Sequence, residues 1–432
     1  MKIAILTNFM DFNPGNSLTG IAADQVRMLS RYGHDVHFFV NERCNGETNA
    51  FDGLAVVRPE IPFTHLIDYE SKRDISNEHM LIAGKTASVL DPAEFDVIYT
   101  HDFMFQGWFL PYAVGCIEAS KKLPTVPWMH WIHSIPSRMR DWWQVRQFGP
   151  QHTLIYPNST DLIIPAEQYR GALEDCRCIP HIKDMRSWAE FSPETCEIID
   201  LMPGLMQADI VQILPASVDR LAAKRVKHVM QIFHQCKLRG RSIALLIANQ
   251  WATTKSHKEN VAEYMAFAES LGLTDREILF SSMIKPEYEV GLSRRVIREL
   301  FSLSNLFIFP TDHETFGLVM PEAALSGAFL VTNNSLDMTR EVTGNTALGF
   351  DFGSIRRRFA PPDTEKYLAD VADVILGRMA QNEAVATKTY ARQRYNWDYL
   401  YQHAYAPVMA ELIQKAEGRR LKAEGKDDAS LC

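Results

Sequence analysis

The stretch LFIFPTDHETFGLVMPEAALSG, residues 306–327, decides the fold. Its four leading residues predict a short buried strand, and the residues after Gly317 predict the start of a helix. Parallel α/β sheets bind ligands at the carboxyl ends of their strands, and the free N–H groups at a helix start suit a diphosphate. Gly317 lets such an anion approach closely because it has no side chain. The stretch therefore predicts an anion site where a strand turns into a helix.

The same alternation of strands and helices extends along the whole chain and predicts doubly wound sheets of the α/β class. In the first half the predicted strands cover residues 2–7, 35–40, 96–100, 125–130, 153–156 and 161–165. In the second half they cover residues 209–214, 243–248, 278–280, 306–309 and 329–332. A chain of 432 residues exceeds what one core usually serves. We therefore expect an amino-terminal domain (1–194), a carboxyl-terminal domain (195–390), and a final helix with a charged tail (391–432).

The composition is that of a globular protein, with 46% hydrophobic and 23% charged residues. The net charge of -8 opposes broad attraction to nucleic acid or anionic lipid. Seven cysteines lie without C-x-x-C spacing, so Cys176 and Cys178 predict packing thiols rather than a metal site. No apolar run has the length of an export signal or a membrane span. We expect a reduced, cytoplasmic protein without a transmembrane segment.

Two glutamates in the opening stretch, Glu314 and Glu322, are separated by seven residues and followed by an alanine and a later glycine. This arrangement resembles the signature of the glycogen-synthase-like branch of retaining GT-B glycosyltransferases, the glycosyl transferases group 1 family. The resemblance implies two facing Rossmann-like domains with an interdomain cleft. It also implies that Glu314 lies beside the transferred sugar and that Glu322 binds the ribose hydroxyls of the nucleotide. The donor-binding turn between them contains Phe316, Gly317 and Leu318.

The ordinary alternative for these acids is that Glu314 caps a helix and Glu322 is a solvated helix residue. Their joint spacing opposes that alternative. Pro321 departs from the family pattern and must fall near the helix start, where a missing N–H is tolerated.

A second resemblance follows the first strand of the carboxyl-terminal half, in PASVDRLAAKR, residues 215–225. The family places an Arg and a Lys here, which implies that Arg220 and Lys224 stabilise the negative charge of a departing nucleoside diphosphate. The usual spacing is one residue longer, so Arg225 is an alternative to Lys224. A solvated basic helix face is the ordinary alternative for such residues.

In the amino-terminal half, the loop of residues 13–20 corresponds in position to the family's glycine-rich turn, and Gly20 is the best match. His133 follows a predicted strand where the family carries a histidine that faces the transferred sugar. His130 is the alternative, and a hydrogen-bonded structural histidine is the ordinary explanation of either. Met283 precedes the segment that usually cradles the base. The choice among uridine, guanosine and adenosine donors stays open.

Basic and aromatic residues follow His133 closely and predict an acceptor site. Its members are Arg138, Arg140 and Trp142. Aromatic faces stack on sugars or bases, and arginines bind phosphates. These residues could therefore bind a glycan, a small molecule or a nucleic acid as the acceptor. Near the end of the chain, Trp397 resembles the aromatic position at which the family's last helix crosses back to the first domain.

The resemblance implies a retaining glycosyltransferase that moves a sugar from a nucleotide-sugar to an acceptor hydroxyl. Protein cations take the place of a divalent metal, so we expect no metal and no cofactor besides the co-substrate. One alternative is a glycosyltransferase acting on modified nucleic acid, such as a hydroxymethylated DNA base, which the acidic net charge opposes. Another is a nucleotide-sugar-binding regulator without turnover, suggested by the altered cation spacing and by the absence of a glycine turn near Asn249.

Overall fold

The computed structural model describes residues 1–13, 15–45, 51–64, 76–103, 110–133, 149–168 and 173–428. The chain forms two compact units, one of Met1–Lys183 with Trp397–Cys432 and the other of Asp184–Asn396. Both units alternate parallel strands with helices, so the predicted α/β class with two Rossmann-like domains is confirmed. The predicted boundary at residue 195 lies inside a helix of the second unit.

The first unit is built on one parallel sheet of seven strands. Its strands are β1 (Lys2–Leu6), β2 (Asp35–Asn41), β3 (Val56–Ile61), β4 (Val97–His101), β5 (Trp128–Trp131), β6 (His152–Tyr156) and β7 (Cys176–Cys178). Its helices before the second unit are α1 (Ser17–Arg31), α2 (Asn77–Val89), α3 (Leu110–Lys122) and α4 (Ile163–Gln168). The strand order is β3-β2-β1-β4-β5-β6-β7, which reverses beside β1 as in doubly wound folds.

The second unit contains two parallel sheets of three strands each. Its strands are β8 (Ile210–Ser217), β9 (Ile243–Gln250), β10 (Ile278–Phe280), β11 (Leu306–Phe309), β12 (Phe329–Asn333) and β13 (Leu348–Phe350). Its helices are α5 (Met185–Trp188), α6 (Pro193–Leu201), α7 (Gly204–Gln207), α8 (Val226–Leu238), α9 (Lys255–Ser270), α10 (Arg294–Leu303), α11 (Val319–Leu325), α12 (Asp337–Val342), α13 (Thr364–Ala380) and α14 (Glu383–Arg394). The sheet orders are β10-β9-β8 and β11-β12-β13.

The side chain of Gln212 joins these two sheets. Its carbonyl oxygen accepts the backbone N–H of Ile308 at 2.9 Å, and its amide donates to the Ile308 carbonyl at 3.0 Å. One residue earlier on β8, the backbone N–H of Val211 donates to the side chain of Asn305 at 2.9 Å. Gln212 is fully buried. A side-chain amide therefore replaces the backbone ladder between β8 and β11, and the six strands form one layer.

Alternate residues of the first unit's strands divide between the two faces of its sheet, as the pleat requires. Tyr99 and Trp131 pack in the hydrophobic cluster to which α1 contributes. Ile98 and Trp128 pack in the cluster to which α2 and α3 contribute. This alternation determines the surroundings of each histidine on β4 and β5.

The end of the chain returns to the first unit through α15 (Trp397–Leu400), a π-helical turn (Tyr401–Tyr405) and α16 (Ala406–Asp428). The ring of Tyr401 stacks on that of Tyr32 with centroids 3.6 Å apart, and Asp398 accepts the Tyr32 hydroxyl at 2.8 Å. α16 extends into the predicted charged tail. No helix of the described residues is long and apolar enough to cross a membrane.

The strand predicted at residues 161–165 is wrong, because this segment forms a turn and the start of α4. The side chain of Asn158 accepts the N–H of Asp161 at 2.9 Å, which stabilises a turn instead of an extended strand. Three of the strands in the described residues were not predicted. β7 and β13 have only three residues each, and β3 is an edge strand that contains Pro59.

Gln212→Leu should destabilise the second unit, because the buried N–H and C=O of Ile308 lose their partners at a cost of roughly 2–4 kcal/mol. Hydrogen exchange of the peptide spanning residues 304–311 would measure the effect, and exchange should become faster. Gln381→Leu is the matched control, since Gln381 is exposed and its loss should change stability by no more than about 0.5 kcal/mol. Equal exchange in Gln212→Leu and the parent protein would show that the amide does not join the sheets.

Candidate functional site

The candidate site lies at the carboxyl ends of β8 and β11, where the strand order of the second unit reverses. β9 and β10 lie on one side of β8, while β12 and β13 lie beyond β11. Adjacent loops diverge at such a switch point, and the crevice between them is where doubly wound sheets bind ligands. The loops that follow these two strands carry Arg220, Lys224 and Glu314.

Backbone hydrogen bonds hold the two loops side by side. The carbonyl of Ala223 accepts the N–H of Asp312 at 2.9 Å and the hydroxyl of Thr311 at 3.3 Å. The amide of Asn333, which is fully buried at the end of β12, donates to the Thr311 carbonyl at 2.8 Å. These contacts place the residues after Ala223 next to those after Asp312.

Lys224 and Glu314 form an ion pair at this junction. The Lys224 ammonium lies 2.7 Å from Glu314 Oε2, and the two side chains are only 10% and 15% exposed. Glu314 Oε1 accepts the backbone N–H of Thr315 at 3.0 Å, which fixes the carboxylate. The ammonium also lies 4.5 Å from the centre of the Phe309 ring, so the last residue of β11 supports it from below.

Burial and charge shift the pKa values of both partners. Burial lowers the pKa of the Lys224 ammonium below its ordinary value, and the nearby charge of Arg220 acts in the same direction, whereas Glu314 opposes the shift. Burial alone would raise the pKa of Glu314. The hydrogen bonds from Lys224 and Thr315, together with the charge of Arg220, outweigh it and leave the pKa of Glu314 below its ordinary value.

The structure places Lys224, and not Arg225, against Glu314. Arg225 has φ 52°, in the left-handed region, and its guanidinium lies 5.8 Å from the Phe359 ring. This backbone reversal turns the two neighbouring side chains apart. Arg220 ends the short 3₁₀ helix Val218–Arg220, and no carboxylate of the described residues forms an ion pair with it.

The turn after Glu314 requires glycine. Gly317 has φ +73°, and a Cβ atom there would lie 3.2 Å from Phe309 and 3.3 Å from the Glu314 side chain. Phe316 and Leu318 on either side are 51% and 68% exposed, so both are available to a ligand.

Glu322 lies one turn into α11, with its side chain exposed and not hydrogen-bonded within the described residues. Pro321 is the third residue of this helix, where its missing N–H costs no helical hydrogen bond, as the sequence predicted. The structure thus puts the two glutamates in different surroundings, one paired and largely buried and the other free.

Met283 ends the 3₁₀ helix Ser281–Met283 and is 52% exposed. It lines a pocket of about 190 Å³. Asn249 fixes this helix, because its buried side chain accepts the N–H of Ser282 at 3.0 Å and donates to the Ser282 hydroxyl at 2.9 Å. β9 includes Asn249, and the positive φ expected of a glycine turn occurs at Trp251, with φ 63° and 57% exposure.

In the first unit, His133 follows β5 and lies next to His101 and His181, with its ring centroid 5.0 Å from that of each. His130 lies on the opposite face of the sheet, fully buried, and both of its ring nitrogens are hydrogen-bonded, to Thr100 and His152 at 2.8 Å. His130 is therefore a structural histidine, and His133 is the one that has a ring nitrogen to offer.

Gly20 lies within the first turn of α1 rather than in the loop before it, and a Cβ atom there would meet nothing within 4 Å. The helix is instead capped by Asn16, whose side chain accepts the N–H of Leu18 at 3.1 Å. The predicted acceptor residues Arg138, Arg140 and Trp142 lie outside the described residues.

Within the described part of the chain, no three His, Cys, Asp or Glu side chains converge in a way that would hold a metal ion. Several residues that shape the sites were not identified from the sequence. The clearest examples are Asn333, Phe309, Gln25 and His181. Asn333 could have been identified, because it is a polar residue at the end of an apolar strand. Nothing in the sequence connects Gln25 with His101.

No family model matches the chain, and no curated protein sequence matches it. Among solved structures, the chain is similar to Anabaena Alr3699/HepE in complex with UDP-glucose, at 16% identity over 96% of this chain and 100% of the other, with a TM-score of 0.34. It is similar to a glycosyltransferase from Rickettsia africae, at 14% identity over 95% and 99% of the two chains and a TM-score of 0.33. It is also similar to sucrose-phosphate synthase from Thermosynechococcus elongatus, at 16% identity over 97% and 99% of the chains and a TM-score of 0.33. Because these TM-scores are low, the functional assignment rests on the geometry of the site.

Proposed function

We propose that this chain is a retaining, metal-independent glycosyltransferase of the glycogen-synthase-like GT-B family. It transfers a sugar from a nucleoside-diphosphate-sugar to an acceptor hydroxyl. The observation that supports this proposal best is the ion pair of Lys224 with Glu314 at the switch point of the second unit, 2.7 Å apart and largely buried.

The charges at this junction favour a diphosphate. Lys224 and Arg220 contribute two positive charges, and Glu314 contributes one negative charge, so the group carries a net charge of about +1 when all three are ionised. A diphosphate gains negative charge as the sugar leaves it, and cations held in a partly desolvated site stabilise that charge more strongly than water does. The pair is thus fixed in position before the reaction begins.

Each residue has a separate task in the proposed reaction. Glu314 positions the sugar, while Lys224 and Arg220 bind the diphosphate. The bond between the anomeric carbon and the phosphate oxygen breaks, and the electron pair stays on the phosphate. The acceptor hydroxyl forms its new bond to the anomeric carbon on the same face and gives its proton to the leaving phosphate. The anomeric configuration is retained, and neither a metal nor a cofactor takes part.

The rest of the donor occupies the neighbouring exposed residues. Glu322 accepts hydrogen bonds from the two ribose hydroxyls, which its free carboxylate suits. Gly317 lets the phosphates approach the start of α11, and Phe316 and Leu318 cover them. Met283 and its pocket of about 190 Å³ receive the base. In the first unit, His133 binds the transferred sugar.

A nucleotide-sugar of the correct base should raise the melting temperature, because a ligand that binds only the folded form stabilises it by about 2.7 kcal/mol at 100 times its Kd. A thermal-shift screen of UDP-, GDP- and ADP-sugars would identify the base. Glu322→Gln should weaken the response to the nucleotide-sugar and leave the response to inorganic pyrophosphate intact. The absence of any shift across the panel would contradict the donor site.

Replacing either member of the ion pair should abolish most of the turnover. Lys224→Met and Glu314→Gln should each lower kcat for donor transfer or hydrolysis by about 10²–10³-fold, the effect of losing one group that stabilises a developing charge. Lys227→Gln is the matched control. Lys227 lies three residues further along the chain and pairs with Glu263 at 2.7 Å on the surface, so its loss should leave kcat unchanged.

The double variant Lys224→Met/Glu314→Gln distinguishes an effect on stability from an effect on turnover. Lys224→Met alone leaves a largely buried carboxylate unpaired and should lower the melting temperature, whereas adding Glu314→Gln should restore part of it. Turnover should not recover. Donor binding without turnover in the parent protein would favour a regulator over an enzyme, and recovery of kcat in the double variant would remove both residues from the reaction.

A further inference from the structure

Three imidazole rings of the first unit, those of His101, His133 and His181, lie close together. His101 ends β4, and its Nδ1 lies 2.7 Å from Nε2 of His133, so these two rings meet edge to edge. The ring of His181 lies with its centroid 5.0 Å from that of His133. Nδ1 of His133 is buried and has no hydrogen-bond partner. An unpartnered buried nitrogen costs stability, and its retention next to two ordered rings points to a ligand group.

Gln25 fixes the ring of His101. This residue of α1 is fully buried, and its side-chain oxygen lies 2.9 Å from Nε2 of His101. Its amide donates to the hydroxyl of Tyr405 at 3.2 Å, in the segment that returns from the end of the chain. In this arrangement the NH2 group of Gln25 faces Tyr405 and its oxygen faces His101. An amide oxygen accepts and cannot donate, so Nε2 of His101 must carry a proton.

The position of one proton then determines the others. Burial lowers the pKa of His101 to about 3 and that of His133 well below its ordinary value, so both rings are neutral near neutral pH. A neutral imidazole protonated at Nε2 has a bare Nδ1. Nδ1 of His101 is therefore the acceptor of their shared hydrogen bond, and Nε2 of His133 is the donor. Nδ1 of His133 is left as a bare acceptor.

The main chain at His133 is held as well. The backbone N–H of His133 donates to Oδ1 of Asp102 at 3.0 Å, and Asp102 itself has φ 59°. The ring is thus positioned by two independent contacts, one at its backbone and one at Nε2. Only Nδ1 remains to be satisfied.

We propose that Gln25 and His101 are positioning residues that hold His133 as its Nε2-protonated tautomer, so that Nδ1 accepts a hydrogen bond from a ligand hydroxyl. A hydroxyl or an N–H fits this position, whereas a phosphate, a carboxylate or a carbonyl oxygen is rejected because it has no proton to donate. The identification of the ligand as a sugar rests on the proposed function. The tautomer does not, because it follows from the protein's own contacts.

The tautomer can be observed without any substrate. In long-range ¹H–¹⁵N spectra of the full chain labelled with ¹⁵N-histidine, recorded at mildly alkaline pH, a bare ring nitrogen resonates well downfield of a protonated one. His133→Asn assigns the resonances. The parent protein should show a bare Nδ1 at His133. A protonated Nδ1 would overturn the proposal, since the opposite orientation of the Gln25 amide would reverse both tautomers.

Gln25→Met tests the cause. The methionine removes the acceptor beside His101, so the preference for a proton on Nε2 of His101 is lost and Nδ1 of His133 should become protonated in part of the molecules. Gln25→Glu retains an acceptor and should retain the original tautomer. Ser120→Ala is the matched control, because Ser120 contacts Nε2 of His152 at 2.9 Å in the histidine network on the opposite face of the sheet. It should leave the spectrum of His133 unchanged.

Activity provides the second measurement. Gln25→Met should raise KM for the sugar donor by about tenfold, the value of one neutral hydrogen bond, with a smaller change in kcat. If Gln25 had only a structural role, its replacement would lower the melting temperature without changing the tautomer of His133 and without a larger effect on KM than on kcat. If Gln25→Met changes the tautomer of His133 and the parent protein turns over no nucleotide-sugar, the proposed function fails and the positioning role of Gln25 and His101 stands. If turnover is present and Gln25→Met leaves the tautomer unchanged, only the positioning role fails.

Discussion

The arrangement of the second unit depends on the buried amide of Gln212. Strand order reverses between β8 and β11, and no backbone ladder joins these two strands. A side chain that both donates and accepts satisfies the two backbone groups of Ile308 that the missing ladder would leave unpaired. The crevice expected at a switch point therefore lies above two strands that a side chain holds together. Lys224 and Glu314 enter that opening from the two loops, and the contacts of Ala223 with Asp312 and Thr311 keep those loops in register.

A largely buried ion pair is weak evidence for stability, because the desolvation of two charges offsets much of their attraction. In the proposed reaction the pair has a second role, because it holds a cation at a fixed point of the donor site. Glu314 neutralises the Lys224 ammonium, and no carboxylate of the described residues forms an ion pair with Arg220. A dianionic group that enters the site meets an unbalanced cation and a second cation held at a fixed point above Phe309. Little reorganisation is then needed when charge develops on the leaving group.

The strands and the glutamate site could be predicted because continuous apolar runs and fixed motif spacing are local signals. β10 and β11 were predicted to the residue, and Pro321 was placed correctly at a helix start. The choice between Lys224 and Arg225 could not be made, because the left-handed backbone at Arg225 interrupts any periodicity on which spacing depends. The choice between His130 and His133 was available from the sequence in principle. Successive residues of a strand alternate faces, so His130 had to share the face of Trp128. What lies on each face depends on long-range partners such as Gln25 and Tyr405, which no local pattern reveals.

The two units carry polar groups of different kinds, and the difference agrees with the chemistry of sugar transfer. In the second unit the polar groups at the switch point are ionised, and burial is tolerated because opposite charges are paired. In the first unit His101 is buried and His133 and His181 are partly buried, and none of their ring nitrogens contacts a carboxylate of the described residues. Burial lowers the pKa of each ring, so all three stay neutral. In the proposed reaction, ionised groups suit a diphosphate whose charge changes, and a neutral acceptor suits hydroxyls whose charge does not change. A charged residue at His133 would have to be desolvated for each hydroxyl that it bound, whereas a neutral imidazole with one bare nitrogen selects the donor group at a lower desolvation cost.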